Sequence, residues 1–185
     1  MPLAEFLHWD DGTDMRYELI DRRVRPMGLS TVAHGLILAN LAGEIGDNLR
    51  AGHRALIRIG VLIADRADTF YVPDLTISAA PLDDPRRQHV ADPLLIAEVV
   101  DRATFDHDRG RKLYDYWTIP SVREIVLISA DERRLELFHR QGRSRWLVDT
   151  LTGDDWLRLE TCDELCLTTG IYAGLPSEPL PWHAR

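Results

Sequence analysis

The sequence predicts a mixed α/β fold organised around one central sheet flanked by helices. Three observations predict it. "LLIAEVV" (Leu94–Val100) is a nearly continuous apolar, β-branched run, the pattern of a strand covered on both faces. A Ser-Thr cap at Ser30-Thr31 opens a segment with Val32, Leu36, Ile37, Leu41 and Ile45 at helical spacing. Toward the C-terminus "REIVLIS", "RLELFHR" and "RWLVDTL" are separated by short polar turns, which reads as a three-stranded meander.

The remaining elements follow in chain order. "LAEFLHW" is a short amphipathic helix ended by "DDGT", and "RYELID" with "RRVRPMG" forms a hairpin turning at Asp21-Arg22. The long helix stops near Gly52, after which "RALIRIGVLIAD" and "TFYVPDLTIS" each read as one strand, with Pro73 tolerable at a strand start or edge. Ala80 to Pro93 holds three prolines and several charges and reads as a surface loop. "FDHDRGRKLYDYWTI" is a helix with Leu113, Tyr116 and Trp117 on one face and Pro120 just beyond it. The tail from Thr152 is rich in glycine and proline, with short structured pieces at "DWLRL" and "LTTGIYAGL". With 185 residues and no internal repeat or linker, one domain is expected over 1–185, with a core over about 16–150 and an extension over about 151–185.

Composition narrows the function classes. A net charge of -8 argues against a passive basic module that coats nucleic acid, yet it leaves room for an enzyme with a local basic groove. Cys162 and Cys166 lack a second metal-ligating pair and read as reduced packing residues. "MPLAEFLHWDDG" does not resemble a secretory signal, and no segment offers the roughly 20 apolar residues of a membrane span, so a cytoplasmic location is expected.

Two acids stand in awkward places. Asp74 follows Pro73 and opens "LTI", while Glu98 interrupts "LLIAEVV", where an unpaired charge is expensive. If these strands are neighbours, both carboxylates project from one sheet edge, and their repulsion calls for a cation. Oxygen ligands of this kind suit a hard divalent ion, which takes one or two carboxylates and keeps several waters; the Val99 carbonyl is a further candidate ligand. Lys112, on the following helix, is the only lysine among 22 Lys and Arg residues. A desolvated lysine can orient a water or stabilise charge on a phosphate.

In this order, "YELID", "STVAHGLILANL", "VPDLTI", "LIAEVVD", "DRGRKLYDYWTIP" and "REIVLIS" resemble the Uma-two family. That is a widespread bacterial group of restriction-endonuclease-like proteins within the PD-(D/E)xK nuclease superfamily. The resemblance covers roughly Arg16 to Arg140. It implies a restriction-endonuclease-like fold, a Mg²⁺ or Mn²⁺ cofactor and a nucleic-acid substrate with DNA foremost; a homodimer is also expected, with the meander and the tail as its candidate surface. Asp74 then corresponds to the metal-binding aspartate of the P-D half-motif and Glu98 to the acid of the second. The lysine expected two residues after that acid is replaced by Val100, and Lys112 fits a position relocated to the helix. Glu18 corresponds to the acid of the N-terminal element, and His34 matches a histidine on the long helix without a defined role. Departures fall at "DRAT", where a Ser-Pro turn is usual, at "IVLIS", which replaces a Trp-x-x-Asp run, and at Arg22, which replaces glycine; none removes a catalytic group.

Plainer readings stand beside these. Asp74 fits a turn cap, Glu98 an ion pair with Arg109, Lys112 a solvated helix residue, Glu18 a solvent-facing strand residue and His34 an N-terminal helix residue. Asp108 suits a helix N-terminus, and Asp101 and Asp106 suit loops. The arginines of "RRVR", Arg86-Arg87 and "RGRK" serve either as phosphate contacts or as ordinary charged surface. Three functions remain in play: a metal-dependent endonuclease, a catalytically silent nuclease-fold protein acting in dimerisation or partner binding, and a metal-dependent hydrolase of a small phosphorylated molecule.

Overall fold

The computed structural model describes residues 1–101, 108–162 and 166–177. Its strands sort into two mixed sheets and a two-stranded ribbon rather than the one sheet expected. The first sheet contains β1 (Tyr17–Ile20), β2 (Arg23–Pro26), β4 (Gly60–Leu62), β5 (Phe70–Tyr71) and β7 (His89–Val90), in the order β2-β1-β5-β4-β7. The second contains β3 (Arg54–Ile57), β6 (Leu75–Ser78), β8 (Pro93–Val100), β9 (Glu124–Ser129), β10 (Arg134–Gln141) and β11 (Arg145–Thr152), in the order β11-β10-β9-β8-β6-β3. Only β4 with β7 and β8 with β9 run parallel within these sheets. The ribbon pairs β12 (Trp156–Leu157) with β13 (Cys166–Leu167).

The second sheet exists because two segments that read as single strands break in the middle. "RALIRIGVLIAD" divides at Arg58, whose φ of 52° lies in the left-handed region that costs a side-chain-bearing residue about 1–2 kcal/mol. "TFYVPDLTIS" divides at Val72 to Asp74, where Pro73 offers no N–H to continue a ladder. At each break the chain crosses between sheets: β3 and β6 belong to the second, β4 and β5 to the first. The breaks are clasped to each other, since the Arg58 N–H donates to the Asp74 carbonyl at 3.0 Å.

Several local expectations hold, and others are shortened or interrupted. The β1–β2 turn is built on Asp21 (φ 51°) and Arg22 (φ 65°), the double left-handed geometry that matches strand twist in a two-residue hairpin. Helix α2 (Val32–Asn48) starts at the Thr31 hydroxyl, which accepts the His34 N–H at 3.1 Å. The helix between β8 and β9, α3 (Leu113–Thr118), follows a wide π-type turn over Asp108–Lys112 and buries Leu113 and Tyr116. The first helix, α1 (Leu3–Phe6), is a single turn, and α4 (Thr168–Ile171) lies near the tail. The expected loop over 80–93 contains the short strand β7, a departure that its two-residue length explains. Residues 102–107, including the Asp106 reading, fall outside the described residues.

Three apolar clusters sandwich the sheets. Ile37, Leu41 and Ile45 of α2 pack on Leu75, Ile77, Leu95, Ala97 and Val99, and Cys162 is buried with them. Ile20, Val61 and Tyr71 of the first sheet meet Ile96, Val100, Ile125 and Phe138 of the second, with Leu113 and Tyr116. Phe6, Leu19, Phe70 and Val72 seal α1 against the outer face of the first sheet. Successive β8 residues therefore serve opposite clusters, which is why its sequence reads as continuously apolar. Among the described residues no helix is long and apolar enough to cross a membrane.

At the start of β9 a wholly buried acid, Glu124, accepts the Glu160 N–H at 2.8 Å, lies 3.5 Å from the Thr161 hydroxyl, and faces His139 Nδ1 at 3.5 Å. Burial raises its pKa to about 7, the Glu160 N–H opposing the shift and the Glu160 charge reinforcing it. The folded state thus holds a proton that the unfolded chain releases near 4.5, so this group's contribution falls as pH rises between those values. Glu124→Gln keeps the acceptor and loses the titration. Urea unfolding from pH 4 to pH 8 is expected to shift the stability difference toward the variant by about 3 kcal/mol.

Candidate functional site

The antiparallel pairing of β6 with β8 sets Leu75 opposite Ala97, and one further step brings Asp74 level with Glu98. Residues opposite one another in such a pair point to the same face. Leu75, Ile77, Ala97 and Val99 face the α2 side, so Asp74 and Glu98 share the other face. The ladder ends at Leu75, and the strand edge left open there is occupied by the Asp74 side chain, whose Oδ2 accepts the Val99 N–H at 3.0 Å. The Val100 carbonyl accepts the Ala130 N–H toward β9, so alternation directs the Val99 carbonyl to the Asp74 side.

Asp74 is 5% exposed. Its Oδ1 lies 3.0 Å from His34 Nε2 and 3.5 Å from Arg58 Nε. His34 Nε2 is also 3.3 Å from Arg58 Nη2, and the shorter contact assigns the donated proton to the carboxylate side. Burial pushes the Asp74 pKa up, but the His34 hydrogen bond and charge, the Val99 N–H and the Arg58 charge outweigh it, and the carboxyl titrates below the usual aspartate value. Arg58 is further held by the Ser30 hydroxyl.

Glu98, 4% exposed, accepts from the Tyr116 hydroxyl at 2.7 Å and from Lys112 Nζ at 2.9 Å on Oε1. The same ammonium reaches Glu18 Oε1 at 3.0 Å, and that oxygen also accepts the Val72 N–H at 2.9 Å. Lys112 is itself 4% exposed and stands 5.5 Å from the centre of the Tyr71 ring. The Tyr71 hydroxyl donates to Asp115 at 2.7 Å; burial first, then this bond, raises its pKa. Asp115 is in turn paired with Arg66 at 3.3 Å and Arg111 at 3.7 Å.

Glu18, Glu98 and Lys112 are thus in direct contact, and Asp74 is bonded to the residue after Glu98, with His34 upon it. The solvent-facing readings of Glu18 and Lys112 do not hold; Lys112 and Tyr116 are partners of Glu98, while the Arg109 side chain of the ion-pair reading lies outside the described residues. Two participants escaped sequence reasoning. Tyr116 sits at helical spacing with Leu113 and reads as packing, whereas its hydroxyl holds Glu98. Arg58 carries no local signal beyond a charged residue inside an apolar run. Among the arginine groups, Arg111 pairs with Asp21 and Arg86 with Asp84, while Arg23 and Arg25 are exposed and line a cavity of about 380 Å³ with Arg111.

Among the described residues no group of three or more His, Cys, Asp and Glu side chains stands ready to hold a metal. The chemistry of the donor set still fits a hard divalent ion: two carboxylates on one face and a backbone carbonyl on the Asp74 side of the strand offer oxygen only.

The family model described as "Putative restriction endonuclease", Uma2, matches residues 3–170. The chain belongs to the Uma2 family. Two Synechocystis relatives align along most of their length: uncharacterized protein slr1290, 24% identical over 92% of this chain and 90% of that protein, and uncharacterized protein sll1609, 28% identical over 82% and 88%. The fold matches the crystal structure of "a putative nuclease belonging to DUF820" from Anabaena variabilis with a TM-score of 0.73 at 14% identity, covering 93% of this chain and 97% of that one. The restriction-endonuclease-like α/β fold expected for a Uma2 chain is the fold observed.

Lys112→Met leaves two buried carboxylates side by side without their shared cation. A loss of about 3–5 kcal/mol in urea unfolding at pH 7 is expected, partly recovered when Glu98→Gln is added. A single variant within about 1 kcal/mol of wild type contradicts a structural role for the ammonium.

Proposed function

We propose that this Uma2 protein is a metal-dependent endonuclease that hydrolyses phosphodiester bonds in nucleic acid, with DNA as the foremost substrate. The observation that supports it is the buried Glu18–Lys112–Glu98 group set one strand from Asp74, an assembly of acids and one ammonium on the edge where two sheets meet. Asp74, Glu98 and the Val99 carbonyl would hold Mg²⁺ or Mn²⁺. When bound, such an ion neutralises phosphate charge and makes a nearby water more acidic.

The chain's own residues supply the remainder. The Val99 N–H and His34 fix the Asp74 carboxylate, and Arg58 adds positive charge beside it. Tyr116 holds Glu98 in orientation. The Lys112 ammonium would stabilise negative charge developing on phosphate oxygens, a stabilisation that is strong where water is excluded. Glu18 keeps that ammonium aimed while accepting from the Val72 N–H. A cytoplasmic, homodimeric protein remains part of this reading.

One observation favours a second reading, a silent nuclease fold kept for dimerisation or partner binding. Oxygens of Asp74 and Glu98 are already engaged by His34, the Val99 N–H, Lys112 and Tyr116. Calorimetry separates the two: folded protein that takes up neither Mg²⁺ nor Mn²⁺ supports the silent fold.

The direct test incubates purified protein with supercoiled plasmid and single-stranded substrates in Mg²⁺ or Mn²⁺. Cleavage is expected, and Asp74→Ala and Glu98→Gln are expected to reduce it by about 100-fold or more, the scale of losing a transition-state contact. Cleavage that survives Asp74→Ala unchanged rules this centre out.

A further inference from the structure

A cavity of about 380 Å³ lies beside the candidate centre, bounded by α1, the 9–16 loop and strands β1, β4 and β5. Trp9, Met15, Tyr17, Phe70, Arg58 and Gln88 line it, and its size falls within the roughly 300–1,000 Å³ of small-ligand sites. Its walls are aromatic: Trp9 and Tyr17 meet edge to face at 4.9 Å, and Phe6 lies 5.5 Å from Phe70. The Phe70 ring covers Gly60 so closely that a Cβ there would stand 1.9 Å from Cζ, so the glycine is what lets the ring form a wall. Trp9 is 36% exposed and Met15 48%, large apolar groups left open at the mouth.

The polar groups restrict the occupant. Asp10 and Asp11 stand at the rim, where they accept the Gly12 and Thr13 N–H groups, and Asp11 also accepts from the Tyr17 hydroxyl. A phosphate would meet these carboxylates; an uncharged ring with N–H donors would not be repelled. The Gln88 side chain, exposed at the wall, both donates and accepts, as recognition of a base edge requires. Arg16 Nη1 donates to the Arg58 carbonyl at 2.9 Å, and Arg58 Nε lies 3.5 Å from Asp74 Oδ1, so one wall of the cavity is shared with the candidate centre.

We propose that this cavity takes one unpaired nucleobase of the substrate strand, stacked on the Trp9 indole while a neighbouring phosphate lies at Asp74, Glu98 and Lys112. The inference rests on the nuclease reading and narrows it to a substrate class. A base inside a duplex is covered on both faces and engaged along its pairing edge, so a cavity of this kind selects single-stranded or locally unpaired nucleic acid.

Fluorescence anisotropy in EDTA, where metal-dependent cleavage is absent, tests it with two labelled strands of equal length, one bearing bases and one fully abasic. Wild-type protein is expected to bind the base-bearing strand about fivefold or more tightly than the abasic one. Trp9→Ala removes the stacking face. Met15→Trp fills the cavity from an exposed position and removes no buried packing. Both variants are expected to bind the two strands alike, with the abasic affinity unchanged from wild type. Equal binding of both strands by wild type, including no binding of either, overturns the inference, as does a variant that weakens both strands equally. Loss of cleavage in Asp74→Ala together with equal strand binding sinks the cavity alone. Base preference that follows Trp9 while Asp74→Ala still cleaves sinks the catalytic centre and leaves the cavity standing.

Discussion

One ammonium group held between two buried carboxylates governs this structure. Lys112 joins Glu18 of the first sheet to Glu98 of the second, and all three side chains are withdrawn from water. Desolvating three charges costs several kcal/mol per ion, and a single cation leaves the triad with net negative charge. The Val72 N–H and the Tyr116 hydroxyl offset part of that cost by donating to the two carboxylates. Apolar side chains of similar size would hold two sheets together at least as well. The triad is therefore poorly explained by stability and well explained by the chemistry proposed for it.

Its position depends on backbone as much as on charge. The chain passes between sheets twice, at Arg58 and at Val72 to Asp74, and the Arg58 N–H to Asp74 carbonyl bond brings the crossings together. Because β6 stops at Leu75 while β8 continues to Val100, a stretch of β8 edge is left without a ladder partner. Unpaired buried backbone groups are costly, and the Asp74 carboxylate satisfies one of them at Val99. The same strand ending thus explains why an acid is tolerated here and why it lies level with Glu98. Strain at Arg58 has a comparable logic: a residue in an unfavourable φ region is retained where the surrounding contacts, here to Asp74 and Ser30, hold it.

Much of this was legible from local pattern. The Thr31 cap, the central character of "LLIAEVV", the Asp21-Arg22 hairpin and the C-terminal meander all follow from period, capping and turn chemistry, which act within a few residues. Lys112 stood out by composition and Asp74 by its proline. The number of sheets was not legible, because a strand's pattern reports which face is buried and not which distant strand will pair with it. A break at Arg58 leaves no mark, since arginine has no preference for positive φ, and Pro73 signalled a strand start without showing a change of sheet. Tyr116 was hidden for a related reason: helical spacing predicts that its ring is buried, and only the tertiary structure shows where its hydroxyl goes.

The charge distribution sharpens what the proposed function demands. With a net charge of -8 the molecule as a whole repels a polyanion, so attraction has to be local. Two arginines near the centre are already committed to acids: Arg66 to Asp21, Asp68 and Asp115, and Arg111 to Asp21 and Asp115. Exposed Arg23 and Arg25 remain turned to solvent beside Arg111. On the nuclease reading, a divalent ion at Asp74 and Glu98 would therefore contribute to substrate affinity as well as to chemistry, because it would reverse the sign of the field where the phosphate must sit. An aromatic cavity that grips an uncharged base would serve the same end, adding affinity that neither the protein's net charge nor salt screening diminishes.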